Sequence, residues 1–358
     1  MRLLYVSFEA MEPDRAAHTH VTGLIGGLER CGWRVELIAG RQGRRERRLW
    51  RYLRINLRAI IALSRVDAVY IRSHFAAWPL AQAARLTHSP VFQEINGVPD
   101  DVVITYGALR RFASLLRWLY RSQFRHAARL FVVTEGLARY FRAFAGHDRI
   151  SVTPNGVDPA VFRPGATPRP AAAPAGEYAL FYGDLARWHG LDLMLAAARD
   201  PAWPERVRLL VIGRGSAANS LDIPGDLGDR VQWLDRMPQR ELPPFILHAR
   251  MGFAPITDPG GRSRTGVIPL KLIEMMACAA PVIVTDLPGQ ADLVREAGCG
   301  VVVPTDDPHA LAAAVATLAG SADAAAMGRR GRAMVEARHT WEAIGKQVDA
   351  AIADALKR

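Results

Sequence analysis

The stretch PLKLIEMMACAAPVIVTD, residues 269–286, reads as a helix running straight into a buried strand. Leu270–Cys278 is apolar at most positions, and Val282–Thr285 is a short β-branched run. Pro269 suits a helix start, where its missing N–H leaves no intrahelical bond unmade. Lys271 and Glu274, three residues apart, then share one face of the first turns, beside the positive end of the helix dipole and its free N–H groups. Such an end attracts an anion. Lys271 would add a point charge, and Glu274 would accept hydrogen bonds from ligand hydroxyls. The plainer alternative is an ion pair on the surface of an amphipathic helix. The preceding DPGGRSRTG, residues 258–266, is a glycine-rich basic loop of the kind that cradles phosphate, which favours the anion site.

Outward from this unit the same alternation recurs. Tyr178–Tyr182, Val207–Ile212, Val231–Leu234, Gly252–Pro255 and Gly300–Val303 are further strand candidates, with Leu191–Arg199, His309–Leu318 and Trp341–Leu356 as helices. Before them, PNGVDPAVFRPGATPRPAAAPAG, residues 154–176, has the Pro, Gly and Ala texture of a linker. Upstream, Leu3–Phe8, Val35–Ala39, Ala68–Ile71, Val91–Ile95 and Leu130–Thr134 are short apolar runs separated by helical patterns. Strand and helix in this rhythm mean parallel sheets covered on both faces, so the fold class is α/β with two doubly wound, Rossmann-like domains. The expected division is 1–163 and 164–341, with a final helix, 342–358, packing back on the first domain. Ligands of such sheets bind outside the carboxyl ends of the strands.

The chain has 358 residues, enough for two domains, and at 50% hydrophobic and 23% charged it is not a disordered composition. The net charge is +11. Residues 1–165 hold 25 Lys and Arg against 13 Asp and Glu, whereas the remainder holds 21 against 22, so the whole excess lies in the first half. Cys31, Cys278 and Cys299 have no metal-ligand spacing and cannot form a full disulfide framework, which fits a reducing, cytoplasmic setting. The opening MRLLYVSFEAMEPD reads as a first strand rather than a signal peptide, and no run approaches the ~18–20 apolar residues of a membrane span.

The 269–286 stretch resembles the donor-domain motif of the retaining glycosyltransferases of GT-B fold, glycosyltransferase family 4. Several blocks are similar to that family in its own order: HVTGLIGGLERCGWRVELI (20–38), PVFQEINGV (90–98), PNGVDPAVFRP (154–164), FYGDLARWHGLDLMLAA (181–197) and VRLLVIGRGS (207–216). The resemblance implies GT-B architecture, with two Rossmann-like domains facing a cleft. It implies transfer of a sugar from a nucleoside diphosphate sugar, which is a substrate rather than a cofactor, with retention and without a metal. The donor would contact Gly183, Arg187, His189, Arg214, Gly266, Val267, Lys271 and Glu274. Glu94, Asn96 and Lys271 would serve catalysis, and His18 and His20, in or beside the loop before the first helix, would lie on the acceptor side.

Four departures from the family pattern stand out. The first of its two glutamates falls on Gly266, whose backbone N–H, with those of Val267 and Ile268, would line the site instead. The usual Arg after the first donor-domain glycine is Asp184, and the usual Lys before the next glycine is His189. Arg187, His189 and Lys271 are the candidate replacements for those diphosphate anchors. Asn96 stands where the family often has His; it cannot shuttle a proton but can hydrogen-bond a sugar hydroxyl. Glu94 would be a general base or nucleophile, or equally a strand-end carboxylate paired to an arginine.

The basic excess concentrates in RQGRRERRLWRYLRINLR (41–58) and RRFASLLRWLYRSQFRHAAR (110–129). In the first, Trp50, Leu53 and Leu57 are spaced for one apolar stripe in an Arg-rich surround. Both segments suit either an anionic membrane interface or helices whose apolar faces pack on the sheet. An acceptor carrying a polyprenyl diphosphate at the cytoplasmic leaflet, in cell-surface polysaccharide or glycolipid assembly, would explain a basic acceptor domain. Nucleic acid is not expected as a partner, since no helix-turn-helix, zinc or RNA-stacking motif is present. The rival readings are a non-catalytic relative that binds membrane or a partner enzyme, and a nucleotide-sugar epimerase.

Overall fold

The computed structural model describes residues 1–13, 15–40, 47–215, 225–258, 261 and 263–357, except the side chains of Thr105, Arg187 and Asp226. The chain divides into two compact units: 1–156 with 341–358, and 157–340.

Unit one runs β1 (Arg2–Ala10), α1 (Ala16–Arg30), β2 (Arg34–Gly40), α2 (Arg48–Ala62), β3 (Ala68–Arg72), α3 (Trp78–Leu86), β4 (Val91–Ile95), α4 (Asp101–Thr105), α5 (Ala113–Arg125), β5 (Arg129–Val132), α6 (Glu135–Ala145) and β6 (Ile150–Val152). Unit two runs β7 (Glu177–Tyr182), α7 (Leu191–Arg199), β8 (Val207–Ile212), β9 (Val231–Leu234), α8 (Pro243–His248), β10 (Met251–Ala254), α9 (Leu270–Ala277), β11 (Val282–Thr285), α10 (Gln290–Ala297), β12 (Gly300–Val303), α11 (Pro308–Gly320) and α12 (Ala324–Arg338). The last helix, α13 (Trp341–Leu356), belongs to unit one.

Each unit holds one six-stranded sheet, ordered β2-β1-β3-β4-β5-β6 and β12-β11-β10-β7-β8-β9, and every registered strand pair is parallel. Burial on both faces explains why the strands read as unbroken apolar runs rather than alternating ones. Along β7, Ala179 and Phe181 join the core beneath α7 and α11, while Tyr178, Leu180 and Tyr182 join the core beneath α8, α9 and α10. The strand order reverses between β1 and β3 in unit one and between β7 and β10 in unit two. Those switch points are where doubly wound sheets open a crevice at their carboxyl edge.

Two expectations shift. The division falls at 156/157 rather than 163/164, because the first residues of the presumed linker are already tied down. The Val157 N–H donates to the His339 carbonyl at 2.8 Å, and Phe162 is buried in unit two, its carbonyl held by Arg332 at 2.7 Å. His18 and His20 lie on α1 itself rather than in a loop.

α13 reaches α1 through two glycines. A Cβ on Gly27 would sit 2.3 Å from the Trp341 carbonyl oxygen, and one on Gly345 would sit 2.4 Å from the Gly27 carbonyl carbon. The Trp33 indole N–H donates to Asp349 at 2.7 Å, and Gln347 donates to the Val152 carbonyl at 2.9 Å. Neighbouring Gly26 faces open space. Gly27→Ala should therefore destabilise unit one by about 1–3 kcal/mol through overpacking. Gly26→Ala should stabilise it by up to ~1 kcal/mol through helix propensity. Urea denaturation of the two variants reads the opposite signs.

Candidate functional site

In unit two, β7 and β10 lie side by side at the switch point. Tyr182 ends β7, and Gly183 turns the chain with φ +123°, its N–H donating to the Ile212 carbonyl at 2.9 Å. Gly213 must also lack a side chain, since a Cβ there would lie 2.0 Å from the Gly183 carbonyl oxygen. The two glycine turns therefore pack backbone on backbone and leave room at the sheet edge. α9 fills that edge. Pro269 stands extended before its first turn, and every residue from Lys271 to Ala277 is buried.

Lys271 points its ammonium over the Phe181 ring, 3.8 Å from the centroid. A Cβ on Gly183 would come within 3.2 Å of Nζ. Among the described residues Nζ has no hydrogen-bond partner. A cation–π contact is worth about 0.5–2 kcal/mol, against several kcal/mol for removing an ammonium from water, so the ring does not offset the burial. The lysine accordingly drops from its ordinary value to about 7, with burial outweighing the opposing pull of Glu274 and Asp184.

Glu274 lies one turn further on and is also buried. Its Oε2 accepts from the Tyr182 hydroxyl at 2.8 Å and its Oε1 from the Gln239 amide. Burial raises this carboxyl above the usual range, although Tyr182, Gln239 and Lys271 all pull it down. Each oxygen keeps a second lone pair for a ligand hydroxyl.

Other expected donor contacts fall elsewhere. Arg214 forms a bidentate pair with Asp235 on an exposed surface, so its guanidinium is already engaged. The Gly266 and Val267 N–H groups donate to the Ser263 and Pro288 carbonyls, both at 2.9 Å, and so are not free to line a site. Gly266 has φ +94°, a conformation that a glutamate side chain would strain. The His189 Nδ1–H donates to the Asp184 carbonyl, closing the turn after β7. The Arg187 side chain lies outside the described residues, as do residues 216–224, 259, 260 and 262. Sequence reasoning missed Phe181, Tyr182 and Gln239, whose apolar or uncharged character gave no signal.

Unit one gathers a second cluster at the carboxyl ends of β3 and β4. Arg72 and Glu94 are register partners at the ends of these strands, and Arg72 Nη1 donates to Glu94 Oε1. Tyr5 donates its hydroxyl to Oε2, and Asn96 Nδ2 donates to Oε1 at 2.8 Å. His20 Nε2 lies 3.1 Å from Oε1, while its Nδ1–H donates to Asn155 at 2.9 Å and its ring meets Trp341 edge-on. Arg72 Nε also reaches Glu9 at 3.3 Å.

Burial alone would raise Glu94, but His20, Arg72 and the Tyr5 hydroxyl together hold it far below the ordinary carboxylate range. A carboxylate so acidic is a poor proton acceptor, and its contacts are those of the second expected reading, a strand-end carboxylate paired to an arginine: Glu94 meets Arg72, His20 and Asn96. His18 is not among the residues gathered there, since two positions along a helix turn it away from His20. Among the described residues no three His, Cys, Asp or Glu side chains cluster as metal ligands.

Comparison with known proteins agrees with this layout. A family model described as "Glycosyltransferase Family 4" matches residues 17–161, and one described as "Glycosyl transferases group 1" matches residues 176–321; together they cover most of the chain. The D-inositol 3-phosphate glycosyltransferase of Acidothermus cellulolyticus is 30% identical over 48% of this chain and 40% of its own length. The GDP-mannose:cellobiosyl-diphosphopolyprenol alpha-mannosyltransferase of Xanthomonas campestris is 29% identical over 62% of this chain and 57% of its own. The chain thus spans about half the length of the curated relatives it matches. Among solved structures, sucrose-phosphate synthase from Thermosynechococcus elongatus superposes with a TM-score of 0.79 at 20% identity, over 99% of both chains. Anabaena HepE, solved with UDP-glucose, gives 0.75 at 16% identity, over 99% of this chain and 100% of its own. At these identities the structures share the fold.

Two outcomes follow from the charges. Lys271→Met should raise the thermal midpoint of the ligand-free protein, at roughly 2–4 °C per kcal/mol. The folded lysine titrates near 7, well below its unfolded value, so the penalty is complete below pH 7 and fades as pH rises toward 10. The midpoint difference from the parent protein should shrink over that window in calorimetric scans. Glu94→Gln should cost about 3 kcal/mol by leaving the buried Arg72 with only the half-exposed Glu9 as counter-ion. Because Glu94 is depressed, its contribution is present above the ordinary carboxylate range and declines as pH falls below about 4. The gap between Glu94→Gln and the parent should therefore narrow in acid.

Proposed function

We propose that this chain, which belongs to the family 4 (group 1) glycosyltransferases, moves a sugar from a nucleoside diphosphate sugar to an acceptor, with retention and without a metal. The observation that carries the reading is the buried Lys271 ammonium at the start of α9, which has no hydrogen-bond partner among the described residues. A diphosphate lying across the N-terminus of α9 supplies the charge that Lys271 lacks, and the positive end of the helix dipole adds to the attraction. As the bond between the anomeric carbon and the diphosphate breaks, negative charge grows on the departing phosphate oxygen. Lys271 is then paired most strongly in the transition state, which is the condition for catalysis rather than mere binding. Glu274, held by Tyr182 and Gln239, accepts from the hydroxyls of the donor ribose.

The acceptor is assigned to unit one, where Arg72 and Asn96 stand at the strand ends around Glu94. Relatives named for D-inositol 3-phosphate, a phosphatidylinositol monomannoside and a diphosphopolyprenol support an acceptor that carries phosphate. A basic unit one suits such a molecule, and a lipid-linked form would put the work at the cytoplasmic face of a membrane, in surface-glycan assembly. A second reading, a relative that has lost catalysis, is favoured by Gly266 and Asp184 standing in place of a carboxylate and a cation of the family.

Calorimetric titration with UDP- and GDP-sugars separates the two. The parent protein should bind at least one donor, and its product should keep the donor's anomeric configuration by NMR, with activity unchanged by a chelator. Lys271→Ala should lower kcat by about 10²–10³, as removal of a transition-state charge partner does. Glu274→Gln should chiefly weaken donor binding. Absence of binding by any nucleotide sugar would overturn the enzyme reading.

A further inference from the structure

α2 carries two apolar faces. One, made of Ile55, Ala59 and Ala62, is buried against β1 and β3 with Leu80 and Ala84 of α3. The other is Leu49, Trp50, Leu53, Leu57 and Ile61, and it points away from the body: Trp50 is 64% exposed and Leu57 62%. A surface helix on a sheet needs only the first of these. The exposed stripe is bordered by the exposed arginines Arg47, Arg48, Arg58 and Arg65, and residues 47–66 contain no acid.

A second exposed patch lies nearby. Tyr106, Phe112, Leu115 and Trp118 are all exposed, beside Arg110, Arg111, Arg121 and Arg125. α3 packs against both α2 and α5. The Arg48 guanidinium sits 5.3 Å over the Tyr106 ring, and Trp118 stacks on Trp78 of α3 at 5.7 Å. The two patches are therefore parts of one face. α2 follows β2, and α4 and α5 follow β4, so the first turns of this face lie at the carboxyl edge of the sheet, the edge that holds Arg72 and Asn96. Tyr52 of α2 reaches that edge directly, 3.5 Å from His74 just beyond β3.

We propose that this face seats unit one on a bilayer of anionic lipid, with the aromatic and aliphatic side chains in the headgroup boundary and the arginines on lipid phosphates. Apolar area alone would suit a protein partner. The arginines around it, with no acid in residues 47–66 or 106–125 and only Arg117 engaged by Asp100, select an anionic surface of indefinite extent. No single helix among the described residues is long and apolar enough to cross a membrane. The consequence for the proposed transferase, on which this part rests, is that a lipid-linked acceptor is offered from the plane in which the protein already lies.

The test is flotation of the full chain with vesicles of phosphatidylcholine alone and with about one third phosphatidylglycerol. The parent protein should float with the anionic vesicles only, and less in 0.5 M salt because the charges are screened, with the Debye length near ~4 Å. W50E/L57E should lower the bound fraction at least tenfold while keeping the parent's thermal midpoint and donor titration. Light scattering without lipid covers the other occupant. Dimers in the parent and monomers in the variant, with no flotation of either, would assign the face to self-association and overturn the proposal, as would equal flotation of parent and variant. Donor binding without flotation overturns only the membrane face; flotation without donor binding overturns only the transferase reading.

Discussion

Holding an ammonium ion out of water costs several kcal/mol unless a counter-charge accompanies it, and the carboxyl edge of the unit-two sheet is arranged around one such ion. Lys271 is buried, faces an aromatic ring and a glycine turn, and finds no hydrogen-bond acceptor among the described residues. Everything next to it is closed. Gly183 and Gly213 interlock by backbone, Glu274 is fastened by Tyr182 and Gln239, and the N–H groups of Gly266 and Val267 are taken up locally. A fold that satisfies these neighbours while the Lys271 ammonium has no hydrogen-bond acceptor among the described residues presents positive charge at the place where doubly wound sheets bind ligands. Asp184 nearby does not offset the burial, which still dominates the lysine.

Unit one solves the opposite problem. Glu94 is as buried as Lys271, yet four side chains meet its two oxygens. The contrast separates two kinds of buried charge that look alike in a sequence. A buried ammonium without a hydrogen-bond acceptor suits a ligand; a buried carboxylate met on both oxygens orients its neighbours. Glu94 fixes Arg72 and Asn96 at the sheet edge, and through His20 it also touches Trp341, the residue by which the last helix enters unit one. The geometry of this cluster is thus tied to the packing of α13.

Where periodicity and burial act locally, the sequence was legible. Val91–Ile95, Val207–Ile212 and Val282–Thr285 are strands residue for residue, and Lys271 and Glu274 do share the first turns of a buried helix. The misses have a common cause, which is that the deciding partner is remote. Arg214 looked like a ligand contact but is held by Asp235 across neighbouring strands. α12 has no counterpart among the expected helices, and Gly328 and Gly331 carry a propensity cost within it. In fact they let the helix approach closely: a Cβ on Gly328 would lie 1.9 Å from the Ala279 carbonyl oxygen. Asp200 and His309, an exposed pair from far-separated helix ends, were equally invisible.

The basic half of the chain shows the limit most clearly. Helical spacing placed Trp50, Leu53 and Leu57 on one stripe, but spacing alone cannot say whether a stripe faces the sheet or the solvent. Ile55, Ala59 and Ala62 form a second stripe, smaller and less conspicuous, and that one packs inward. Small residues let α2 lie close to the sheet, so the bulky ones are left outside among the arginines. The +11 net charge is therefore not spread as a solubilising coat. Much of the basic excess of the first half frames an exposed apolar face at the carboxyl edge of the unit-one sheet, whereas in unit two a single buried lysine is placed by a glycine turn and a helix end.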